Sequence, residues 1–368
     1  MKEPEICSVC GEPYPLDQLT EFDGQLLCSS CLGIETMVCF RCGRRIWNDD
    51  NAGDGSTLLC HSCYDRFYIN CGRCGRTILD DDAYYEDDDQ DDPLCWHCYC
   101  QTQQDKEIHE YSYKPTPLFY GEGERYYGVE LEIDGAGEDS DNACQLMRLA
   151  NRGQELVYCK HDGSLQDGFE LVTHPMTLDF HQHSMPWEDI LQEAVELGYQ
   201  SHKASTCGLH VHVNRSAFGC TEARQEACIA RVLYLVERFW DELLKFSRRT
   251  QSQLNQWAAR YGYKERPQEI LDHAKKGNGI GRYAAVNLQN RDTIEFRIFR
   301  GTLKYNTLIA TLQLVDKICG MAVALSDELL KPLAWPSFAV SCTRPELVQY
   351  LKERRLYVNE PVAEGEEI

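Results

Sequence analysis

Residues 128–134 read Gly-Val-Glu-Leu-Glu-Ile-Asp, and this strict alternation of apolar and acidic side chains predicts a β-strand with two unlike faces. Two further segments alternate in the same way: 207–213 reads Cys-Gly-Leu-His-Val-His-Val, and 293–299 reads Thr-Ile-Glu-Phe-Arg-Ile-Phe. Successive side chains of a strand point to opposite faces, so one face collects the apolar residues. The other face collects carboxylates, imidazoles and a guanidinium.

The polar residues decide what this second face is for. Alternation alone indicates only a half-buried strand, and a solvated face usually carries Thr, Ser, Lys and Gln. Glu130 and Glu132 stand two residues apart on one face, where their charges repel each other unless a cation or another partner lies between them. The three strands together therefore predict a functional face.

Length and composition limit the class of protein. The chain has 368 residues, of which 43% are hydrophobic, and this allows two or three globular domains. No stretch approaches the roughly 20 apolar residues of a membrane span, and residues 1–5 lack the pattern of a signal peptide. We expect a soluble, cytoplasmic protein that does not bind membranes.

Cysteine spacing predicts metal sites near the N-terminus. Of the 20 cysteines, 12 form six Cys-x-x-Cys pairs in the first hundred residues. The pairs form three units with gaps of 17, 17 and 20 residues between their two pairs. Four thiolates at this spacing are typical of tetrahedral zinc, so we predict three structural zinc sites. Their ligands are Cys7, Cys10, Cys28 and Cys31; Cys39, Cys42, Cys60 and Cys63; and Cys71, Cys74, Cys95 and Cys98.

A disulfide framework is the alternative interpretation of the same cysteines. The knuckle spacing and the missing export signal count against it. His61 and His97 lie inside the second pairs of their units and could replace a cysteine, although four thiolates already complete each site. The units resemble LIM-type or treble-clef zinc modules, and this resemblance implies interaction modules over residues 1–100.

Charge argues against nucleic acid as the partner of these modules. Residues 1–110 carry 8 Lys and Arg against 23 Asp and Glu, so this part contributes −15 to the net charge of −22. Such a surface repels phosphate backbones. We expect a protein or basic-peptide partner, while the run of aspartates at 87–92 is equally compatible with a solvated loop.

The rest of the chain predicts one larger domain. Residues 101–125 are rich in Gln, Pro, Tyr and Gly and are interpreted as a linker, and 126–357 as the main domain. Its strands do not strictly alternate with helices, which favours an antiparallel α+β sheet with helices on one face. The acidic tail 358–368 is expected to be disordered.

Several motifs, taken in order, resemble those of a known family. They are Tyr-Gly-Val-Glu-Leu-Glu at 127–132, Asp-Gly-Ser-Leu at 162–165, Gly-Phe-Glu-Leu-Val-Thr-His-Pro at 168–175, Gly-Leu-His-Val-His-Val at 208–213, Val-Asn-Leu at 286–288, Thr-Ile-Glu-Phe-Arg at 293–297 and Arg-Gly-Thr at 300–302. Over about 125–325 this series resembles the amidoligase family. That family is grouped with the glutamine-synthetase-like carboxylate–amine ligases and γ-glutamylcysteine synthetase.

The resemblance implies ATP-dependent amide-bond formation through an acyl-phosphate. That chemistry requires hard divalent cations, and the acidic side chains implied to hold Mg²⁺ are Glu130, Glu132, Glu170 and Glu295.

The resemblance also assigns the basic residues. Arg297 and Arg300 would bind phosphate oxygens, and His212 and His210 would bind a phosphate or complete the metal shell. Strict alternation places Arg300 on the face opposite Arg297, so Arg300 reaches the site only if the strand bulges near 299–301. Within the glycine-rich segment 275–282, Arg282 is a further candidate for the nucleotide phosphates.

Two other functions stay open at this point. His-x-His with carboxylates also suits a metal-dependent hydrolase, and the whole chain could be a zinc adaptor with an inactive ligase domain. We favour a ligase whose zinc modules recruit a protein or peptide substrate, with a small amino acid or amine as a possible co-substrate.

Overall fold

A computed structural model describes residues 4–85, 92–103, 106–204, 206–276 and 281–357, with the side chains of 100–103 left out. Most of the aspartate run, residues 277–280 of the glycine-rich segment and the acidic tail lie outside this part of the chain. The chain divides into two units, Met1–Asp105 and Lys106–Ile368.

The N-terminal unit repeats one small pattern three times: short antiparallel strands, then a helix that begins just after the third cysteine of each set. The strands are Glu5–Ile6 with Pro13–Tyr14, Leu19–Phe22 with Gln25–Cys28, Thr36–Val38 with Arg45–Trp47, and Tyr68–Asn70 with Thr77–Leu79. The α-helices are Ser29–Glu35, His61–Phe67 and Trp96–Gln103, and 3₁₀ turns cover Leu16–Gln18, Asn48–Asp50 and Asp80–Asp82.

A seven-stranded sheet forms the centre of the C-terminal unit. Its strands in chain order are β1 (Ile108–His109), β2 (Tyr127–Asp134), β3 (Val157–Lys160), β4 (Gly168–Thr173), β5 (Gly208–Asn214), β6 (Val286–Asn287) and β7 (Thr293–Arg300). Their order across the sheet is β6-β7-β5-β2-β4-β3-β1. Neighbouring strands are antiparallel except for β1 and β3, which are parallel.

Helices cover one face of this sheet. They are α1 (Ser140–Asn151), α2 (Leu178–His183), α3 (Trp187–Glu196), α4 (Glu222–Arg238), α5 (Trp240–Ser247), α6 (Gln251–Trp257), α7 (Pro267–Lys275), α8 (Tyr305–Ala324), α9 (Asp327–Leu330), α10 (Trp335–Val340) and α11 (Pro345–Glu353); 3₁₀ turns cover Arg215–Phe218 and Gly281–Tyr283. Val129, Leu131 and Val211 of the sheet share one buried core with Leu233 of α4 and Leu312 of α8. The predicted α+β class is confirmed.

Phe239 ends α4 and precedes α5, and its ring packs against Trp335 and Phe338. One expectation about the elements needs correction. The linker expected over 101–125 is wrong from Ile108 onward, because β1 pairs with β3 and the amide of Leu118 donates to Nδ1 of His174 over 3.2 Å.

The helix α8 is long and apolar enough to cross a membrane by length and composition. However, most of it is buried inside the protein, and Leu308, Leu312 and Val315 belong to the main core. In the part of the chain that is described, α8 therefore has the environment of a core helix in a soluble protein.

Candidate functional site

Each predicted zinc site brings four thiols together in the N-terminal unit. In all three sets the Sγ atoms lie within 4.8 Å of one another. Cys42 Sγ lies 3.8 Å from Cys60 Sγ, and Cys74 Sγ lies 3.7 Å from Cys95 Sγ. Four sulfurs around a zinc with ~2.3 Å bonds are about 3.8 Å apart, so the thiols are already spaced for the metal.

The backbone turn of each knuckle supports this arrangement. The glycine after the second cysteine has positive φ (Gly11 74°, Gly43 70°, Gly75 71°), and its amide donates to the carbonyl of the first cysteine. Backbone amides also donate to sulfur, as Cys28 N does to Cys7 Sγ over 3.3 Å. The amides of Cys10 and Cys28 lower the pKa of Cys7 to about 6, which favours the thiolate that zinc requires.

In the first two sets the fourth cysteine binds its proton more tightly than an ordinary thiol. Hydrogen bonding to the Cys28 sulfur and burial together raise the pKa of Cys31 to about 12, and burial with the nearby Cys60 does the same for Cys63. The nineteen cysteines that the structure describes are all free, and twelve of them lie in the three four-cysteine clusters. The three clusters fit zinc modules.

The second candidate site lies on the face of the sheet opposite the apolar side chains that belong to the main core. In the sheet, Glu130 lies opposite His210, Glu132 lies opposite Glu170, and His212 lies opposite Glu295. The predicted alternation therefore brings side chains from four strands onto one surface. Glu132, Glu170, His210 and Glu295 are each 3–4% exposed, which is unusual for ionisable groups.

Glu130 is at the centre of this surface and contacts both histidines. Its Oε1 lies 3.1 Å from His212 Nε2, and its Oε2 lies 3.1 Å from His210 Nδ1. Burial acts to raise the pKa of Glu130, but the imidazoles of His212 and His210 hold it well below its usual range. Glu130 is therefore an ionised carboxylate shared by two imidazoles.

Glu295 is held in place by three donors. Asn287 Nδ2 and Asn290 Nδ2 donate to its Oε2 over 2.8 and 3.2 Å, and Arg297 Nη1 donates to its Oε1. Burial opposes ionisation, but His212 and Arg297 lower the pKa of Glu295. Of these donors, Arg297 was predicted for phosphate; here it is also an ion-pair partner of Glu295.

The pKa values of Glu132 and Glu170 are raised, whereas those of Glu130 and Glu295 are lowered. Burial raises the pKa of Glu132, although the amide of Gly208 donates to its Oε2. Burial, and then the charge of Glu130, raise the pKa of Glu170 well above its usual range, despite Lys160 Nζ at 3.9 Å. Both buried carboxyls thus bind a proton more tightly than an ordinary glutamate, and a divalent cation would compete with that proton.

The donor set fits a hard divalent cation. Glu130, His212 and Glu295 form one group of potential ligands within 4.8 Å, and Glu130, Glu170 and His210 form another. Carboxylate oxygens suit Mg²⁺, and the added imidazoles are compatible with Mn²⁺ or zinc as well. Glu130 belongs to both groups, which places it between two possible cation positions.

Arg300 reaches this face because β7 contains a bulge. Val211 pairs with Phe296 and Leu209 pairs with Phe299, so β7 has one more residue than β5 over this interval. The bulge lies before Phe299 rather than at 299–301 as expected. It puts Arg300 opposite Gly208, where its Nη1 donates to the carbonyl of Arg248 over 3.4 Å.

Arg282 lies at another edge of the candidate site. Its guanidinium donates to the hydroxyls of Tyr111 and Tyr283, and Lys160 Nζ lies 5.1 Å from the centre of the Tyr111 ring. The four glycine-rich loop residues before Gly281 lie outside the described residues, so their predicted contact with phosphate stays a prediction.

Sequence reasoning missed two cations and misjudged one acid. Lys160 is the last residue of β3 and alternates with the buried Cys159, but this strand is too short for its pattern to single out a site residue. Arg249 lies in the loop between α5 and α6, where no alternating pattern predicts a site residue. Asp134, placed on the active face by alternation, instead accepts hydrogen bonds from three backbone amides and from Thr206 Oγ1, and so has a structural role.

Comparison with known proteins supports the resemblance found in the motifs. A family model described as "Putative amidoligase enzyme" matches residues 148–319. The match covers β3 to most of α8 and includes His210, His212, Glu295 and Arg297, whereas Glu130 and Glu132 precede it. No curated protein matches the chain. The recognised resemblance to the amidoligase family is therefore confirmed, together with zinc-type cysteine clusters.

Proposed function

We propose that the protein is an ATP-dependent carboxylate–amine ligase that forms an amide bond through an acyl-phosphate. The observation that carries the proposal is the grouping of Glu130, Glu132, Glu170, Glu295 and two imidazoles on one buried surface, within a chain that matches an amidoligase family model. Such a concentration of negative charge has a clear use when it holds divalent cations against a polyphosphate.

Bound Mg²⁺ would neutralise the phosphate oxygens and act as an electrophile at the transferred phosphoryl group. Glu130 and Glu295 are ionised and positioned to hold one cation with His212. Glu170, with His210 and Glu130, would hold a second. Asn287 and Asn290 fix the orientation of Glu295, so its carboxylate does not have to reorganise.

The reaction has two balanced steps. The carboxylate oxygen of the donor attacks the γ-phosphorus of ATP, the bond between that phosphorus and the bridging oxygen breaks, and ADP leaves. The amine then attacks the acyl carbon, the bond from that carbon to the phosphate oxygen breaks, and phosphate leaves while the amine loses a proton. Arg297 and Arg300 would bind phosphate oxygens in both steps, since guanidinium groups remain charged and bind oxyanions in a fork.

The zinc modules are proposed to recruit a protein or peptide substrate. Their strong negative charge favours a basic segment, and their surface also offers apolar contacts. Phe40, inside the Cys39–Cys42 knuckle, is 81% exposed, and Ile34 is 65% exposed. Exposed apolar side chains on an acidic module are suited to a peptide that combines basic and apolar residues.

Hydroxylamine provides a test that needs no knowledge of the amine. It captures acyl-phosphates as hydroxamates, so purified protein, MgATP, hydroxylamine and single candidate carboxylates should give hydroxamate together with an equal amount of ADP. Glu130→Gln should abolish both products, whereas the exposed control Glu196→Gln should not change them.

The same assay distinguishes the hydrolase. A metal-dependent hydrolase, favoured by the imidazoles beside Glu130, would release products without ATP and give no hydroxamate coupled to ADP. ADP formation without any carboxylate that increases it would contradict the ligase assignment.

A further inference from the structure

Arg249 is a buried cation whose guanidinium has no hydrogen-bond partner among the described residues. Its side chain is 9% exposed, and the described part of the chain offers its guanidinium no hydrogen-bond acceptor. Two less buried arginines each have one: Arg231 Nε donates to Asp327 over 2.6 Å, and Arg260 Nε donates to Glu237 over 2.9 Å. Burying an unpaired guanidinium costs free energy, so a specific role must offset that cost.

The short connection between α5 and α6 places Arg249 beside the acidic surface. Helix α5 ends at Ser247, and Arg248 follows in the left-handed conformation with φ 62°. The amide of Arg249 donates to Ser247 Oγ over 3.2 Å. Helix α6 then begins with Thr250 as its N-cap in a capping box with Gln253. Arg249 is thus fixed from both sides by helix ends.

Gly208 leaves the space that the guanidinium occupies. A Cβ atom at Gly208 would lie 2.5 Å from Arg249 Nη2 and 2.7 Å from His210 Nε2. Gly208 also donates its amide to Glu132 and lies opposite Arg300. The tip of Arg249 therefore lies over the sheet between the carboxylates and Arg300.

The charges around Arg249 indicate that it needs an anion. Burial lowers its pKa to about 10, which still leaves it charged at neutral pH; Glu132 favours the charge, whereas Arg297 and Arg300 oppose it. Arg297 has Glu295 as a partner, and Arg300 has the carbonyl of Arg248. Three guanidiniums thus approach one another beside the acidic surface, and a bound oxyanion would give Arg249 the hydrogen-bond acceptor that it lacks.

We propose that Arg249 is a phosphate-binding residue of this site and that Gly208 is the gap that admits it. The proposal rests on the proposed function, because a phosphoryl group held by cations on the carboxylates would present its remaining oxygens to the guanidiniums. A phosphoryl group fits better than a single carboxylate, since it has enough oxygens to contact a metal and several guanidiniums at once.

Binding of magnesium pyrophosphate and of MgATP, measured by calorimetry on the zinc-loaded full-length chain, tests the proposal. Arg249→Met should weaken both by about tenfold to a hundredfold, the usual effect of one charge-assisted hydrogen bond. Arg249→Lys should recover part of the loss. The control Arg231→Met removes an arginine of α4 that pairs with Asp327, and it should leave both affinities unchanged.

Thermal unfolding separates a binding role from a structural one. Removing an unpaired buried charge should leave the melting temperature of Arg249→Met equal to or above that of the wild type, whereas Arg231→Met should lower it. A lower melting temperature for Arg249→Met with unchanged pyrophosphate affinity would overturn the proposal. Gly208→Ala, which pushes the flexible tip of Arg249 aside, should reproduce the loss of affinity.

The outcomes also separate this proposal from the proposed function. Pyrophosphate binding that depends on Arg249 in a protein that forms no hydroxamate would support the Arg249 assignment and refute the ligase. Hydroxamate formation and MgATP binding unaffected by Arg249→Met would refute the Arg249 assignment and keep the ligase. A wild-type protein that binds neither probe would overturn both.

Discussion

Raising the pH should tighten divalent-cation binding at the acidic surface, because two of its carboxyls have raised pKa values in the metal-free protein. Glu170 is 3% exposed and faces Glu132 across the β2–β4 pair. Burial and neighbouring charge raise the pKa of Glu170 well above its usual range, and burial raises that of Glu132. A cation binds the ionised forms only, so it must release these protons.

The size of the effect follows from proton linkage. Each proton released makes the apparent association constant rise about tenfold per pH unit, so Glu170 alone gives about tenfold and both carboxyls together about a hundredfold. The slope should flatten above the pKa values of the folded protein. In the metal-free protein the sign is reversed: the raised pKa of Glu170 stabilises the fold below pH ~4.5, and this contribution is lost as the pH rises through its folded pKa.

Calorimetry with Mn²⁺ or Mg²⁺ at several pH values, in buffers of different ionisation enthalpy, measures both the affinity and the number of protons released. Glu170→Gln should remove about one proton from that number and reduce the pH slope accordingly. Affinity that does not change between pH 6 and 8, with no proton release, would refute the reasoning. Glu196→Gln on exposed α3 is the matched control.

Three further predictions concern other parts of the chain. Nε2 of His181 donates to the Tyr127 carbonyl over 3.0 Å, its Nδ1 accepts from Trp187, and burial lowers its pKa to about 4. The free energy of unfolding should therefore fall by about 3 kcal/mol as the pH decreases from 6.5 to 4. Urea unfolding of His181→Gln should lack this part of the pH dependence. Cys63→Ser should reduce the zinc content from three to two ions per chain by mass spectrometry, whereas Cys144→Ser, outside the clusters, should keep three; equal zinc content would contradict the second site. Deleting residues 1–105 should spare MgATP binding but weaken the use of a macromolecular substrate, and equal activity on that substrate would contradict the recruiting role.

Much of the active face was predictable because it depends on strand parity. Glu130, Glu132, His210, His212 and Glu295 fall where alternation places them, since each lies in a strand whose other face is buried. The zinc clusters were predictable for a similar reason, because ligand spacing along the chain is close to ligand spacing in the folded knuckle.

The remaining features depend on tertiary structure. The position of the β7 bulge depends on pairing with β5, and a single strand does not record it. Arg249 reaches the site through the left-handed Arg248 joint, which has no periodic pattern in the sequence. Residues 108–109 have a linker composition and form a strand only because β3 offers an edge. Asp134 has the parity of a ligand, but its oxygens are used by nearby amides.

The most direct test of the central claim is Mg²⁺-dependent binding of ATP, measured by calorimetry on the wild type, Glu130→Gln and Arg297→Ala. We expect binding that requires Mg²⁺ and is lost or strongly weakened in both variants, because one disrupts the proposed cation site and the other removes the proposed phosphate contact of Arg297. Well-folded, zinc-loaded wild-type protein that binds no MgATP, or variants that bind it as tightly as the wild type, would contradict the claim.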